Sequence, residues 1–266
     1  MSKQSFKPGA MLNPVPVVMV SCGSGEEANI ITIAWTGIIN SDPPMTYVSV
    51  RRERHSHHMI EESGQFVINL CTQKLALAAD FCGVRSGREI DKFQNQSLTP
   101  GKGERVSCPT IEEAPVSLEC VVKEQHRYGT HDMFVAEIVN VQVDEQLVDE
   151  KGRICLDQAD LVCYSHGEYF GLDKEPLGRF GYSVMKPKTK KRLEAQKRQK
   201  AAADKRRRAE SQKEQAAKPQ REKQPKSLKR KKGDTKNRQW PQGQRRQKSE
   251  AGKGKKQNPK RSRKKS

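Results

Sequence analysis

The chain has 266 residues, a formal net charge of +19 at pH 7 and 33% hydrophobic residues. That length allows one or two domains, and no apolar stretch approaches the ~18–20 residues that would span a bilayer, so an integral membrane protein is not expected. The charge is split: residues 1–185 hold 17 Lys and Arg against 25 Asp and Glu, and residues 186–266 hold 34 against 7, so the basic excess is a property of the C-terminal tail and not of a basic active site.

In chain order, the first part reads mainly as short strands. Pro16–Cys22 is valine-rich, Gly23–Glu27 offers a turn, and Asn29–Ile39 resumes a β-branched run, together a hairpin signal. Met45–Val50 and Gln65–Leu70 are further strands, with a short helix over His58–Ser63 ended by Gly64. Lys74–Cys82 is Ala/Leu-rich and predicts a helix stopped by Gly83, and Gly87–Gln94 predicts another short helix. Two long strands follow, Ser117–Gln125 with Leu118, Cys120 and Val122 on one face, and Asp132–Asp144 with Val139, Val141 and Val143 alternating. Arg127–His131 joins them around Gly129, and Ala159–Tyr164 is a last apolar run. Many short strands, few small helices and turn residues between them predict a mainly β, barrel-like domain rather than a parallel α/β sheet.

From Lys186 the apolar residues nearly vanish except for alanine, and Trp240 is the only aromatic. Such a segment cannot bury enough surface to offset its ordering entropy, so a disordered tail is expected over 186–266. Lys191–Lys218 has helix propensity but almost no apolar stripe, so a helix there would be transient or solvent-exposed. By electrostatics the tail is expected to bind polyanions, with nonspecific RNA contact favoured over specific DNA binding because Trp240 is its only residue for stacking on bases.

All seven cysteines (Cys22, Cys71, Cys82, Cys108, Cys120, Cys155 and Cys163) lie in the first part, without a C-x-x-C pair. Reduced, buried thiols in a cytoplasmic protein are expected, Cys82 among them. The N-terminus has one short apolar run broken by prolines, so no signal peptide is read there. The spacing of His55-Ser56-His57-His58 matches no usual structural zinc pattern, and no metal is expected. Gly23-x-Gly25-x-x-Ala28 fits the dinucleotide-binding pattern, but that pattern needs a helix to open there, and Asn29-Ile30-Ile31-Thr32-Ile33 prefers a strand. The glycines read as hairpin residues.

The residues after that turn carry a resemblance. Asn29-x-x-Thr32-x-Ala34-Trp35-Thr36-Gly37, Ser41-Asp42-Pro43-Pro44 and Val48-Ser49-Val50-Arg51 resemble the opening of the flavin reductase-like, FMN-binding split-barrel family, in its flavoredoxin branch. Arg54-x-Ser56, Phe66-Val67-Ile68-Asn69, Asp80-Phe81-Cys82-Gly83-Val84-x-Ser86-Gly87 and Asp91-Lys92-Phe93 follow in order. Gly129-Thr130-His131-Asp132-Met133-Phe134 is similar to the family's Gly-Asp-His segment, with Thr130 where Asp is common, and Leu177-Gly178-Arg179-Phe180-Gly181 resembles the end of the domain. The resemblance implies a Greek-key split β-barrel over 1–185, homodimeric, holding FMN and exchanging electrons with NAD(P)H, a small-molecule acceptor or a redox protein. The tail has no counterpart in that pattern. A reading from another class is an RNA-binding protein that uses the tail, with the barrel as a non-catalytic scaffold.

FMN needs donors and positive charge for its phosphate, and an apolar wall with a few hydrogen bonds for its ring. Ser49, Arg51 and Ser56 sit at the end of a strand and the start of a helix, where N–H groups are free for an anion. The resemblance implies that Asn29 and the Thr32–Thr36 stretch lie along the flavin, with Thr32 and backbone groups of Ala34 and Trp35 near its polar edge, and that Ser86, Gly87 and Lys92 complete the site. It makes His131 the candidate catalytic residue, positioning NAD(P)H or an acceptor. Plainer alternatives stand beside these: Thr32 and Ser49 as ordinary strand residues, Arg51, Arg52 and Arg54 as a solvated charge run, Lys92 as the surface partner of Asp91 or Glu89, Trp35 as core packing, and His131 as a turn residue.

Overall fold

The computed structural model describes residues 2–173 and 175–196, with a few positions between 198 and 209. The chain divides into two units, Met1–Val184 and Met185–Ser266. In the first, β1 (Val15–Pro16), β2 (Val18–Cys22), β3 (Asn29–Ile33), β4 (Thr36–Ser41) and β5 (Pro44–Arg51) lead into α1 (His55–Ser63). Then come β6 (Gln65–Leu70), α2 (Ala76–Val84), α3 (Lys92–Asn95), the short β7 (Pro100–Gly101) and β8 (Thr110–Ile111), the long β9 (Val116–Arg127) and β10 (His131–Val143), and the hairpin β11 (Val162–Ser165) and β12 (Glu168–Gly171).

The main sheet has the order β3-β2-β6-β9-β10-β5-β4, and each of its pairings is antiparallel. Laid flat, its two outer strands would lie about 29 Å apart, six gaps of ~4.8 Å. Those outer strands are β3 and β4, which only Ala34 and Trp35 separate in the chain. Three peptide steps reach at most about 11 Å, so the sheet has to curl until its ends meet. The Ser49 N–H donates to the Trp35 carbonyl at 2.9 Å, which carries the β4–β5 ladder one pair beyond Thr36. The Asn29–Ile39 run is therefore two strands rather than one, with the break where the chain steps across the barrel.

Both faces of β2 are buried, which is why Val17–Val20 is an unbroken apolar run. Val18 and Val20 point into the barrel with Ile31, Val48, Val50, Phe66, Ile68 and Phe134. Val17 and Met19 point the other way, where Ile30, Leu75, Ala79, Cys82 and Phe93 close a second core under α2 and α3. Leu118, Cys120 and Val122 share the barrel face as expected. A register shift between Ile138 and Asn140 breaks the expected Val139–Val141–Val143 alternation: Val139 packs against Val67 and Val106, Val143 packs against Val116 and Leu147, and Val141 is 46% exposed.

Two buried polar groups tie long-range segments together. Asn69 donates to the Met19 carbonyl and to Ser21 Oγ, both at 3.0 Å, and accepts from Ile111 N at 3.0 Å and Ser117 Oγ at 2.8 Å. Glu119 is fully buried, and among the described residues no cation pairs with its carboxylate. It accepts from the backbone N–H groups of Glu104, Arg105 and Val106 and from the side chains of Asn140 and Gln142. Burial pushes its carboxyl up, but the donors of Gln142, Asn140, Arg105 and Glu104 outweigh burial and hold it at about 2. The loop before β8 is thus pinned to the outer surface of β9 and β10.

Gly23 (φ 73°) and Gly25 (φ 57°) lie in the turn between β2 and β3, so the G-x-G pattern serves a hairpin and opens no helix. Helix α1 ends at Gly64, φ 63°, but begins at His55 rather than His58. Helix α2 runs through Gly83, where a Cβ would come within 3.3 Å of the Thr32 Cβ; that glycine permits helix–strand contact and stops nothing. The expected helix over Gly87–Gln94 is confined to Lys92–Asn95, with Asp91 capping it through Gln94 N at 3.0 Å. Six cysteines are buried and free, and Cys163 is half-buried. In the second unit 187–196 are helical and mostly exposed; the rest of the tail, for which disorder was expected, lies almost wholly outside the described residues. No described helix is long and apolar enough to cross a membrane.

Candidate functional site

Two adjoining cavities form one cleft where β3, β5, α1 and α2 converge. Ile31, Arg51 and Arg54 line both. The first arm has a volume of about 330 Å³ and is cationic: Arg51, Arg54, Arg85 and Lys92 line it against one carboxylate, Glu53. The second, about 450 Å³, is walled by Ile31, Ile33, Ala34, Trp35, Val50 and Val84, with Tyr164 and Tyr169 from the β11–β12 hairpin. Both volumes lie in the range of small-ligand sites.

The cationic arm is built from chain ends. Arg51 ends β5 and Arg54 is the N-cap of α1, which receives no hydrogen bond from a capping side chain. The first turn of α1 therefore presents backbone N–H groups together with the buried Ser56. Asn29 Nδ2 donates to Ser56 Oγ at 2.8 Å and fixes it. His55 Nδ1 is buried without a hydrogen-bond partner, and burial, with His58 next, lowers the pKa of this ring. Across the arm, a Cβ on Gly87 would lie 2.2 Å from Asn29 Oδ1, so only glycine brings the backbone this close. Cys82 also lines the arm; burial raises it to about 11, which keeps it a thiol at neutral pH.

Lys92 is 3% exposed and pairs with neither Asp91 nor Glu89. Its Nζ donates to the Ile30 carbonyl at 2.7 Å and the Cys82 carbonyl at 2.8 Å. An ammonium has three donors, so two neutral carbonyls leave one donor and a whole positive charge in a buried place. Burial lowers its pKa, and an anion in the arm would oppose that. An uncapped helix start, an orphaned imidazole nitrogen, four cations and a glycine-lined approach fit a phosphate monoester.

In the second arm, Trp35 is 45% exposed and contacts His131, ring centroids 4.4 Å apart. Trp35 is thus a cleft wall and not core. His131 begins β10 opposite Arg51, and its Nδ1 lies 2.8 Å from Thr130 Oγ1. Burial and then Arg51 lower the His131 pKa, which favours the neutral ring. The Thr32 hydroxyl donates to the Ala79 carbonyl, which spends its single proton and leaves only acceptor lone pairs for a ligand. Ser49 lies on the same wall. Thr36, expected beside the flavin, lies outside both cavities: its hydroxyl donates to the Tyr47 carbonyl at 2.5 Å on the β4–β5 ladder.

Asn29, Thr32, Ala34, Trp35, Ser49, Arg51, Ser56, Ser86, Gly87, Lys92 and His131 are thus brought into one cleft. Arg52 turns away, donating to Asp132 Oδ1 at 2.8 Å and the Tyr128 carbonyl at 2.7 Å. His57 follows it to Asp132 Oδ2 at 2.9 Å, while His55 and His58 contact each other. Sequence reasoning missed Arg85, which a basic residue next to Ser86-Gly87 could have signalled, and Tyr164 and Tyr169. The signal for the latter was the turn between them, where His166 (φ 52°) and Gly167 (φ 97°) are left-handed. Tyr169 Oη donates to Asp80 Oδ1 at 3.1 Å and ties that hairpin to α2.

Comparison with known proteins agrees with this architecture. The flavin reductase like domain model matches residues 11–173. The structure resembles flavoredoxin of Desulfovibrio vulgaris (Miyazaki F), with 29% identity and a TM-score of 0.65 over 69% of this chain and 100% of that one. It also resembles an FMN-binding protein from Thermus thermophilus solved with bound 1-cyclohex-2-enone, with 27% identity and a TM-score of 0.57 over 67% of this chain and 98% of that one. An uncharacterised protein of Archaeoglobus fulgidus is 30% identical over 143 residues, 54% of this chain and 80% of that protein. The chain belongs to the flavin reductase-like family, with the mainly β split-barrel fold and the flavin-related oxidoreductase function of that family.

Proposed function

We propose that the barrel binds FMN and works as an NAD(P)H-dependent flavin reductase. The observation that carries the reading is the buried Lys92 ammonium beside the uncapped start of α1, in an arm continuous with an apolar, aromatic one. Arg51, Arg54, Ser56, Arg85, Ser86 and Lys92 would hold the phosphate. Thr32, Ser49 and the backbone groups of Ala34 and Trp35 would hold the ring system. FMN, when bound, supplies the ability to take up a hydride and pass electrons on. The protein's part is positioning and exclusion of water. Neutral His131 and Trp35 stand at the mouth of the arm, where they would orient a nicotinamide or an acceptor without adding charge. The homodimer that the family resemblance implies would cover the exposed Ile38, Val141, Leu177 and Phe180.

The test is anaerobic mixing of FMN-loaded full-length protein with NADH or NADPH. Bleaching of the flavin by either supports a reductase. No reduction by both would leave a flavoredoxin-like carrier that receives electrons from a protein and passes them to a redox partner. A second reading concerns the tail, where 34 Lys and Arg against 7 Asp and Glu favour nonspecific contact with RNA or another polyanion. Salt-sensitive RNA retention that disappears on deleting 186–266, with FMN binding intact, is the expected outcome.

A further inference from the structure

The cationic arm adjoins a third cavity. Asn29 and Gly87 line both, so these two residues form the partition between them. Across it the sign of charge reverses. Glu26 and Glu27 from the β2–β3 turn, and Glu89 and Asp91 from the loop before α3, line the far side against one cation, Arg88.

We infer that this acidic recess makes the barrel selective for the mononucleotide over the dinucleotide flavin, an inference that rests on the FMN reading above. FMN ends at one phosphate, which the cationic arm matches. FAD continues from that phosphate through a second one to ribose and adenine. The continuation away from the ring arm passes Asn29 and Gly87, where a Cβ would already collide, and brings a negative phosphate against four carboxylates. The four carboxylates are solvent-exposed, so their repulsion acts through water and is screened by salt. The other course, out to solvent, leaves the adenosine half without contacts to offset its ordering. On either course FAD gains nothing over FMN. The selective element is thus the acidic far side of that partition, Glu26, Glu27, Glu89 and Asp91, which line no part of the phosphate arm.

The test measures dissociation constants of the full-length apo-protein for FMN, FAD and riboflavin by quenching of flavin fluorescence, for wild type and for the triple variant Glu26→Gln, Glu27→Gln, Glu89→Gln. These side chains are exposed, and Asp91 is kept because it caps α3. Wild type is expected to favour FMN over FAD by at least about 50-fold, and the variant to narrow that ratio at least about 5-fold, almost wholly through tighter FAD. FMN and riboflavin should each move less than about 3-fold, and 1 M salt should narrow the wild-type ratio in the same direction. Equal wild-type affinities, or a ratio that the variant leaves unchanged while FMN still binds, would overturn the selectivity inference alone. Failure of every flavin to bind would instead overturn the FMN reading and the inference with it.

Discussion

The two arms of the cleft use opposite materials. The cationic arm is rigidly prepared: Lys92 is locked between two carbonyls, Ser56 is held by Asn29, and Gly87 abuts Asn29. The second arm is more open, walled by half-exposed aromatics and by the β11–β12 hairpin, which pairs with β1 and meets α2 through the Tyr169–Asp80 hydrogen bond. A site that retains a cofactor and still admits a second molecule needs this asymmetry. The first arm supplies affinity through charge-assisted bonds, and the second supplies access.

The largest expected effect tests the prepared arm. Lys92→Met removes the buried ammonium, and FMN affinity should fall about 30- to 100-fold, the range for losing hydrogen bonds to a charged group. Riboflavin affinity, read by the same fluorescence titration, should fall far less, and equal losses for both ligands would show general collapse instead. Next, Gly87→Ala should weaken FMN about 10-fold by pushing Asn29 off Ser56.

Trp35→Ala and His131→Ala test the open arm. Each should raise the KM for NADH or NADPH about 5- to 10-fold in steady-state assays while the FMN dissociation constant stays within about 3-fold. A reversed pattern would erase the contrast between the arms. Because the His131 pKa lies below its ordinary value, KM should be flat from neutral pH upward in wild type.

The smallest expected effect on the cleft comes from Glu119→Gln, which acts away from it. Stability in urea at pH 7 should drop by about 2 kcal/mol with FMN affinity unchanged. The Glu119 pKa is depressed to about 2. Its contribution is therefore complete above the unfolded value near 4.5 and is lost as pH falls toward 2, so the gap between wild type and variant should close over that window.

Local signals carried much of the fold. The Val/Ile run from Gln65 to Leu70 matches β6 to the residue, and Gly23 and Gly25 were recognisable as hairpin glycines. What was not legible depends on distant partners. The break at Ala34–Trp35 exists because the barrel closes there, which no local propensity records. Gly83 looked like a stop because its packing partner, Thr32, lies far away in the chain. Lys92 sits in a charge-rich stretch that looks like surface, and its burial is set by carbonyls of Ile30 and Cys82. Thr36 looked like a ligand from its place beside Trp35, but strand alternation turns it to the Tyr47 carbonyl. The resemblance carried most of the cleft because it preserves residue order across those distances.

The most direct test of the central claim is the visible spectrum of full-length protein after incubation with FMN and removal of free flavin, with mass spectrometry of what heating releases. The account predicts a yellow protein with a band near about 450 nm that releases FMN, close to one per chain. A colourless protein that retains no FMN would contradict it.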